Sequence, residues 1–364
     1  MQDRDVDERR SAVALVLVFA VLAVGIVTAG YLYYRNHEQH YRTGVERQLS
    51  AIAELKVAEL TRWRNERLGD AAVFHRNAAF SALVRRYFEQ PENLETQGQL
   101  RTWLSHIHAA NQYDRVMLLD PQYTKRMMEP DGPERITSFV SQSSSERLGS
   151  GEVVFEDFYW NEENQHIYLK ILVPVLDEAN DNRVIGILAL RVDPGEYLYP
   201  LIQRWPTPSQ TAETLLVRRD GNDALFLNDL KFQKGAALTL RIPLENSDAP
   251  AVKAVLGQEG IVEGQDYRHV SVIAFVCAVP DSPWFLVSRM DRSEVYAPVR
   301  ERLWLIGVVL GILLLGSGAG AGLIWRQQRV RFYQERYEAA GGAAPIRGPP
   351  PDAVRIHERC CHAV

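Results

Sequence analysis

Cysteine is nearly absent, with three in 364 residues: Cys277, Cys360 and Cys361. Only Cys277 lies between Arg35 and Arg302, so that stretch cannot close an internal disulfide. Its fold must rest on a hydrophobic core, which a segment of this size can supply. An excess of positive charge is missing as well. There are 41 Lys and Arg against 46 Asp and Glu, a net charge of -5, which argues against a nucleic-acid-binding role. Proline is absent from Arg35 to Phe88, and glycine occurs there only at Gly44 and Gly69, so little would interrupt a helix. The chain carries no Ser-His-Asp arrangement, phosphate loop, zinc spacing or nucleotide fingerprint. No enzyme, metal or cofactor is therefore expected.

Charge is missing altogether from two long runs, Ala12 to Tyr34 and Leu303 to Trp325. At a rise of ~1.5 Å per residue, the second spans roughly 35 Å, against a hydrocarbon core of ~30 Å. The first is too long for the core of a signal peptide. Thr28-Ala29-Gly30 is its nearest cleavage candidate, and Tyr31, Tyr33 and Tyr34 instead form an interfacial belt that favours uncleaved insertion. Arg4, Arg9 and Arg10 precede the first run, and Arg326, Arg329, Arg331 and Arg336 follow the second. The positive-inside rule then places both termini in the cytoplasm and residues 35–302 outside it.

The middle of the chain reads as helix first and strand later. Leu49, Ile52, Leu55, Leu60 and Trp63 fall near one face of a helix expected from Arg35 to about Phe88. Pro91 to Gly98 breaks it, and a second helix is expected over Gln99 to Asn111. Tyr113 to Asp120 is a strand, with Tyr123 to Met128 its return. Ile136 to Arg147 is weakly helical. Glu152 to Tyr159, His166 to Leu176 and Arg183 to Val192 are three further strands, a hairpin joining the first two. Helices followed by antiparallel strands imply an α+β layout. Trp205-Pro-Thr-Pro208 marks a domain boundary. A smaller pattern follows: strands at Glu213 to Arg219, Ala224 to Leu227, Gly260 to Tyr267, His269 to Val279 and Trp284 to Met290, with a helix at Ala249 to Leu256. Asp291 or Ser293 is placed to cap a helix running through the second apolar run to Glu338. The last strand of the outer region thus joins a membrane helix with no flexible linker.

This order resembles the periplasmic double Cache, or tandem PAS-like, sensor region of bacterial sensor histidine kinases, diguanylate cyclases and chemoreceptors. The resemblance covers roughly Arg35 to Arg336. It is carried by Val184 to Asp193 (VIGILALRVD), Gly260 to Arg268 (GIVEGQDYR), and Val279 to Val287 with Glu294-Val-Tyr-Ala-Pro298. It implies a membrane-distal module over residues 35–204 that binds a small molecule, and a proximal module over 205–302 that relays the change. In the amino-acid-binding branch the distal module carries Arg-x-Trp-Tyr and a downstream Asp. Here Tyr159 and Trp160 supply adjacent aromatics, and Asp193 corresponds to the downstream acid. Asp157 stands where the arginine would be, so the fork for a ligand carboxylate is missing and amino-acid sensing is not expected.

A ligand pocket in such a module lies between the sheet and its cover. Arg115, Tyr159, Trp160, His166, Tyr168, Lys170 and Asp193 are the polar or aromatic residues on or beside the distal strands. His166, Tyr168 and Lys170 alternate and share one face. Either that face lines the pocket and meets an anionic ligand, or it is the solvent face, with Ile167, Leu169 and Ile171 in the core. His106 and His108 do not face each other on a helix, and His37 with His40 reads as a surface pair.

Gly307, Gly311, Gly318 and Gly322 have the spacing that lets membrane helices approach closely, which suits a homodimer. Arg326 to Glu338 is a charged helix of the kind that leads into a signalling domain. Composition changes at Ala339, and the remainder to Val364 reads as a disordered, truncated or frameshifted end, with the output domain missing. A doubly anchored binding or scaffold protein without signalling stays open as an alternative. A periplasmic hydrolase is a third reading.

Overall fold

The computed structural model describes residues 2–111, 113–132, 141–177 and 181–341. They divide into two units, Met1–His37 with Arg300–Val364, and Glu38–Val299. The first unit holds the apolar parts of α1 (Gln2–Phe74) and α8 (Ala297–Gly341). Among the described residues these are the two helices long and apolar enough to cross a membrane. Val16, Val21, Val24, Ile312 and Leu315 are exposed in the isolated chain, as lipid-facing residues would be. The helices approach closely at Gly30, where a Cβ would come 2.8 Å from Leu310. Gly318 lies against Phe19, whereas Gly307, Gly311 and Gly322 face open space.

In the second unit α1 buries Leu49, Ile52, Ala53, Lys56, Leu60 and Trp63, a stripe with steps of three and four. Leu55, expected on that face, is 56% exposed, and Lys56 takes its place inside at 4%. The step from Ile52 to Leu60 passes through residue 56, so the amine is drawn in by helical phase. Its Nζ donates to Thr214 Oγ1 at 2.8 Å and to the carbonyl of Ile202.

The helix expected to reach Phe88 stops at Phe74. Asn77 caps α2 (Ala78–Glu89), its Oδ1 accepting from the amide of Phe80 at 3.0 Å. The reversal brings Phe74 within 6.0 Å of Phe80 and 6.3 Å of Trp103, ring centre to ring centre. Helix α3 (Leu94–Asn111) starts five residues before the expected Gln99, because Asn93 accepts from Thr96 N and caps it there.

Two antiparallel sheets follow. The first has the order β2-β1-β5-β4-β3, from β1 (Arg115–Leu119), β2 (Lys125–Glu129), β3 (Val154–Asn161), β4 (His166–Asp177) and β5 (Arg183–Val192). Helix α4 (Gln142–Gly149) covers one face. The expected helical stretch began at Ile136, and residues 133–140 lie outside those described. A short α5 (Leu198–Gln203) leads to the second sheet. Its order is β8-β7-β6-β11-β10-β9, built from β6 (Glu213–Asp220), β7 (Asp223–Phe226), β8 (Arg241–Pro243), β9 (Gly260–Gln265), β10 (Ser271–Ala278) and β11 (Trp284–Asp291). Strand β8 was not expected; three residues inside a turn-rich stretch leave no period to read.

One face of the first sheet, with Leu169, Ile171, Val173 and Leu188, packs against α1, α2 and α3. That core continues into the second sheet through Leu216, Leu225, Trp284 and Leu286. The other face of the second sheet, with Val217, Val276 and Val287, is covered by α6 (Pro250–Val255). Strand β11 leads into a single turn, α7 (Arg292–Val295), and only Tyr296 separates α7 from α8. Asp291 stands at the N-cap position of α7, but its carboxylate accepts from Arg268 and Arg289 instead of capping the turn. Residues 342–364, expected as a disordered tail, lie outside those described.

Candidate functional site

Strand β4 is buried on both faces from Ile167 to Asp177, with only His166 exposed. The alternating face is therefore not a solvent face. It carries three rows that cross the sheet in register. The first is apolar: Val154, Leu172, Ala189 and Met117. The second is charged: Glu156 opposite Lys170, Lys170 opposite Arg191, and Arg191 opposite Arg115. The third pairs Tyr159 with Tyr168.

Three cations directly opposite one another repel unless anions answer them. Glu156 Oε2 lies 2.7 Å from Lys170 Nζ, and Asp114 Oδ2 lies 2.5 Å from Arg191 Nε. The aromatic row supplies the rest. Lys170 Nζ sits 4.5 Å from the Tyr159 ring centre and Arg191 4.1 Å from that of Tyr168, both in cation–π range. Burial pulls the Lys170 amine down, against the Glu156 carboxylate, which pulls it up. Burial alone would raise Glu156, but Lys170 and the bonds from Ser141 and Ser144 hold it below the usual range. The Tyr168 phenol is pushed up by burial and by Asp114.

A bulge in β3 makes this arrangement. Three residues lead from Glu156 to Tyr159, where β4 spends two from Lys170 to Tyr168. The extra residue lets Glu156 and Tyr159 point to the same face. Between them, Phe158 turns into the common core, 5.3 Å from Trp284 and stacked on Tyr199. Asp157 also turns away from the face. It accepts from Trp284 Nε1 at 2.7 Å and from Arg218 Nη1.

Of the seven candidate residues, the fold gathers Arg115, Tyr159, His166, Tyr168, Lys170 and Asp193 at one face and its end. His166 Nε2 is 2.9 Å from Asp193 Oδ2, and its ring stands 4.9 Å from Tyr168. Arg115 sits at the far end of the charged row, its Nη1 3.6 Å from Met128 Sδ. Trp160 is excluded: it pairs with Ile167, points to the other side and is 49% exposed. Sequence reasoning missed Glu156, Asp114, Asn164, whose Nδ2 donates to the Tyr168 hydroxyl at 2.7 Å, and above all Arg191, whose side chain is 1% exposed. The available signal was a cation inside an apolar strand, in the run ILALRV. Among the described residues no group of three or more His, Cys, Asp or Glu is placed to hold a metal ion.

Residues 35–299 match the family model of the Cache domain. The ligand-binding domain of the Pseudomonas aeruginosa PAO1 amino acid chemoreceptor PctB, solved with L-Arg, is similar in fold. The match has a TM-score of 0.50 and 15% identity, over 70% of this chain and 97% of that one. The PctC domain of the same organism, solved with GABA, matches at a TM-score of 0.47 and 16% identity, over 68% of this chain and 100% of that one. The Pseudomonas fluorescens chemoreceptor CtaA domain with L-serine gives 0.45 and 12%, over 69% and 99%. No curated protein matches the sequence.

Proposed function

This chain belongs to the Cache domain family, and from that premise we propose that it is a membrane-bound signal-input module. It binds a small anionic molecule on the charged row of the first sheet and passes the change toward α8. The observation that carries this reading is the row itself: Lys170, Arg191 and Arg115 side by side, roofed by Tyr159 and Tyr168. A ligand acid group replaces Glu156 as the partner of Lys170. Such a ligand moves the balance between two arrangements only by its differential affinity for them.

The path to the membrane is supported by contact. Asp157, in the bulge beside Glu156, holds Trp284 at the start of β11 and Arg218 on β6. Strand β11 runs through one turn into α8. Residues 35–302 face the periplasm, both termini the cytoplasm, and two copies pair through their long helices and membrane glycines. The output domain acts on the cytoplasmic side.

The test is a thermal-shift screen of the full chain in nanodiscs against small carboxylates and phosphate esters. The expected result is a stabilising compound whose effect disappears in the double variant K170M/E156L. The same compound should change the crosslinking pattern of cysteines engineered along α8. Stabilisation without a change in crosslinking would leave a binding protein that does not signal. Absence of any stabilising anion would remove the ligand role of the row.

A further inference from the structure

A cavity lies at the end of the first sheet away from the charged row. It encloses about 800 Å³, inside the range of small-molecule sites. Its walls are Arg85 and Phe88 of α2, Asp120 after β1, Arg126 of β2, Asp177 ending β4 and Arg183 starting β5. Lys170 and Asp177 are seven residues apart on β4, roughly 23 Å, so the charged row is elsewhere.

The formal charges on this wall cancel: three arginines stand against Asp120, Asp177 and Glu89. The hydrogen-bonding capacity does not cancel. Asp120 Oδ1 accepts from the amides of Gln122 and Thr124 at 3.0 and 2.9 Å. Its Oδ2 accepts from Arg126 Nε and Nη2 at 2.8 and 2.7 Å. Asp177 is 2% exposed and lies 3.3 Å from Arg85 Nη1. Both acids are withdrawn and saturated or shielded. The guanidiniums are not. Arg126 and Arg85 are 52% and 35% exposed. The bonds to Asp120 use Arg126 Nε and Nη2 and not Nη1, and Arg183 has no ion-pair partner among the described residues. The acids therefore act as posts that aim the forks, and what the cavity presents is N–H donors with positive charge.

We propose that this cavity is a second ligand site, which takes a small organic di- or tricarboxylate. Three forks on three separate elements suit two or more acid groups on one skeleton. Phe88, Val184 and Ile185 give only a small apolar floor, which suits a short carbon chain. Occupancy would tie the end of α2 to both strand turns.

Calorimetry with citrate, on the full chain in nanodiscs of zwitterionic lipid at low salt, tests this. Saturable binding is expected. R183Q, which removes an exposed side chain with no ion-pair partner among the described residues, weakens it at least tenfold, the scale of a charge-assisted hydrogen bond. R219Q, an equal loss of charge on β6, leaves it unchanged, and so does K170M/E156L at the charged row. No saturable heat, an unchanged R183Q, or sulfate competing as well as citrate would each overturn the proposal. Loss of citrate binding in K170M/E156L would assign the heat to the other site and overturn it too.

Discussion

Asp157 and Trp284 lie 127 residues apart and share a 2.7 Å hydrogen bond, indole Nε1 to carboxylate Oδ1. The bond ties the bulge of β3 to the first residue of β11. Replacing Asp157 by Ala leaves the buried indole donor and Arg218 without this partner. The expected cost is about 1.5–3 kcal/mol, for groups that are mostly shielded from water. For a unit of this size that lowers the melting temperature by roughly 3–12 °C. Asp157→Asn, which keeps an acceptor for the indole, should fall between. An unchanged melting curve for Asp157→Ala would show that the joint holds nothing.

Glu156 and Lys170 form a largely buried pair, so removing one member costs more than removing both. Glu156→Ala is expected to destabilise by roughly 3–5 kcal/mol, because it leaves Lys170 buried in a row of cations. The double variant K170M/E156L should be close to wild type in denaturant. A double variant as unstable as Glu156→Ala would contradict the register described for this row.

Lys56 gives a pH signature. Its amine is pulled down from 10.5 to about 8, by burial first, with Glu59 opposing. Above pH 8 the folded state releases a proton that the unfolded chain still holds. Stability contributed by this group therefore rises with pH from about 8 toward 10.5. Between pH 8 and 9 the gain is on the order of 1 kcal/mol. Chemical denaturation of wild type against K56M, at pH 7, 8 and 9, should show the difference. Equal slopes in the two proteins would place the amine in water.

Glu294 fastens the turn α7 to the segment that precedes β6. Its carboxylate accepts from Ser209 Oγ at 2.8 Å, Gln210 N at 3.1 Å, Thr211 N at 2.8 Å and Thr211 Oγ1. Burial alone would raise it, but the bonds from Thr211, Ser209 and Gln210 hold it below the usual carboxylate range. Its contribution is fully present above pH 4.5 and is lost as pH falls through the lowered value. E294Q should speed amide exchange at residues 209–211 and 291–296 at neutral pH and flatten the acid dependence. Exchange confined to other segments would show that the clasp is not formed.

Much of the fold could be read from periodicity. The apolar run of β5, the hairpin between β3 and β4, and the turn at Asp220-Gly221 all carry local signals, and the sheets follow. What could not be read were features set by partners distant in sequence. Residue 55 looked like core and residue 56 like surface, because the phase of a 73-residue helix is fixed by what it packs on. Arg191 reads as the polar end of a strand until Lys170 and Arg115 are seen beside it. Asp157 reads as a missing arginine until Trp284 and Arg218 turn toward it. The stop at Phe74 had a local clue in Asn77, but the ring that Phe74 packs against, Trp103, is distant in sequence. The candidate face was read mainly through alternation on β4, so Glu156, displaced by the bulge of β3, and Arg191 on β5 escaped.

The core that runs unbroken from Leu169 and Leu188 to Trp284 and Leu286 has a consequence for how the protein can be taken apart. Neither sheet can be lifted out as an interchangeable cassette, because a cut at Pro206 would strip the oily backing from both halves. Chimeras that graft a foreign first sheet onto this second one must carry its matching apolar underside, or they will come out of the cell as aggregate.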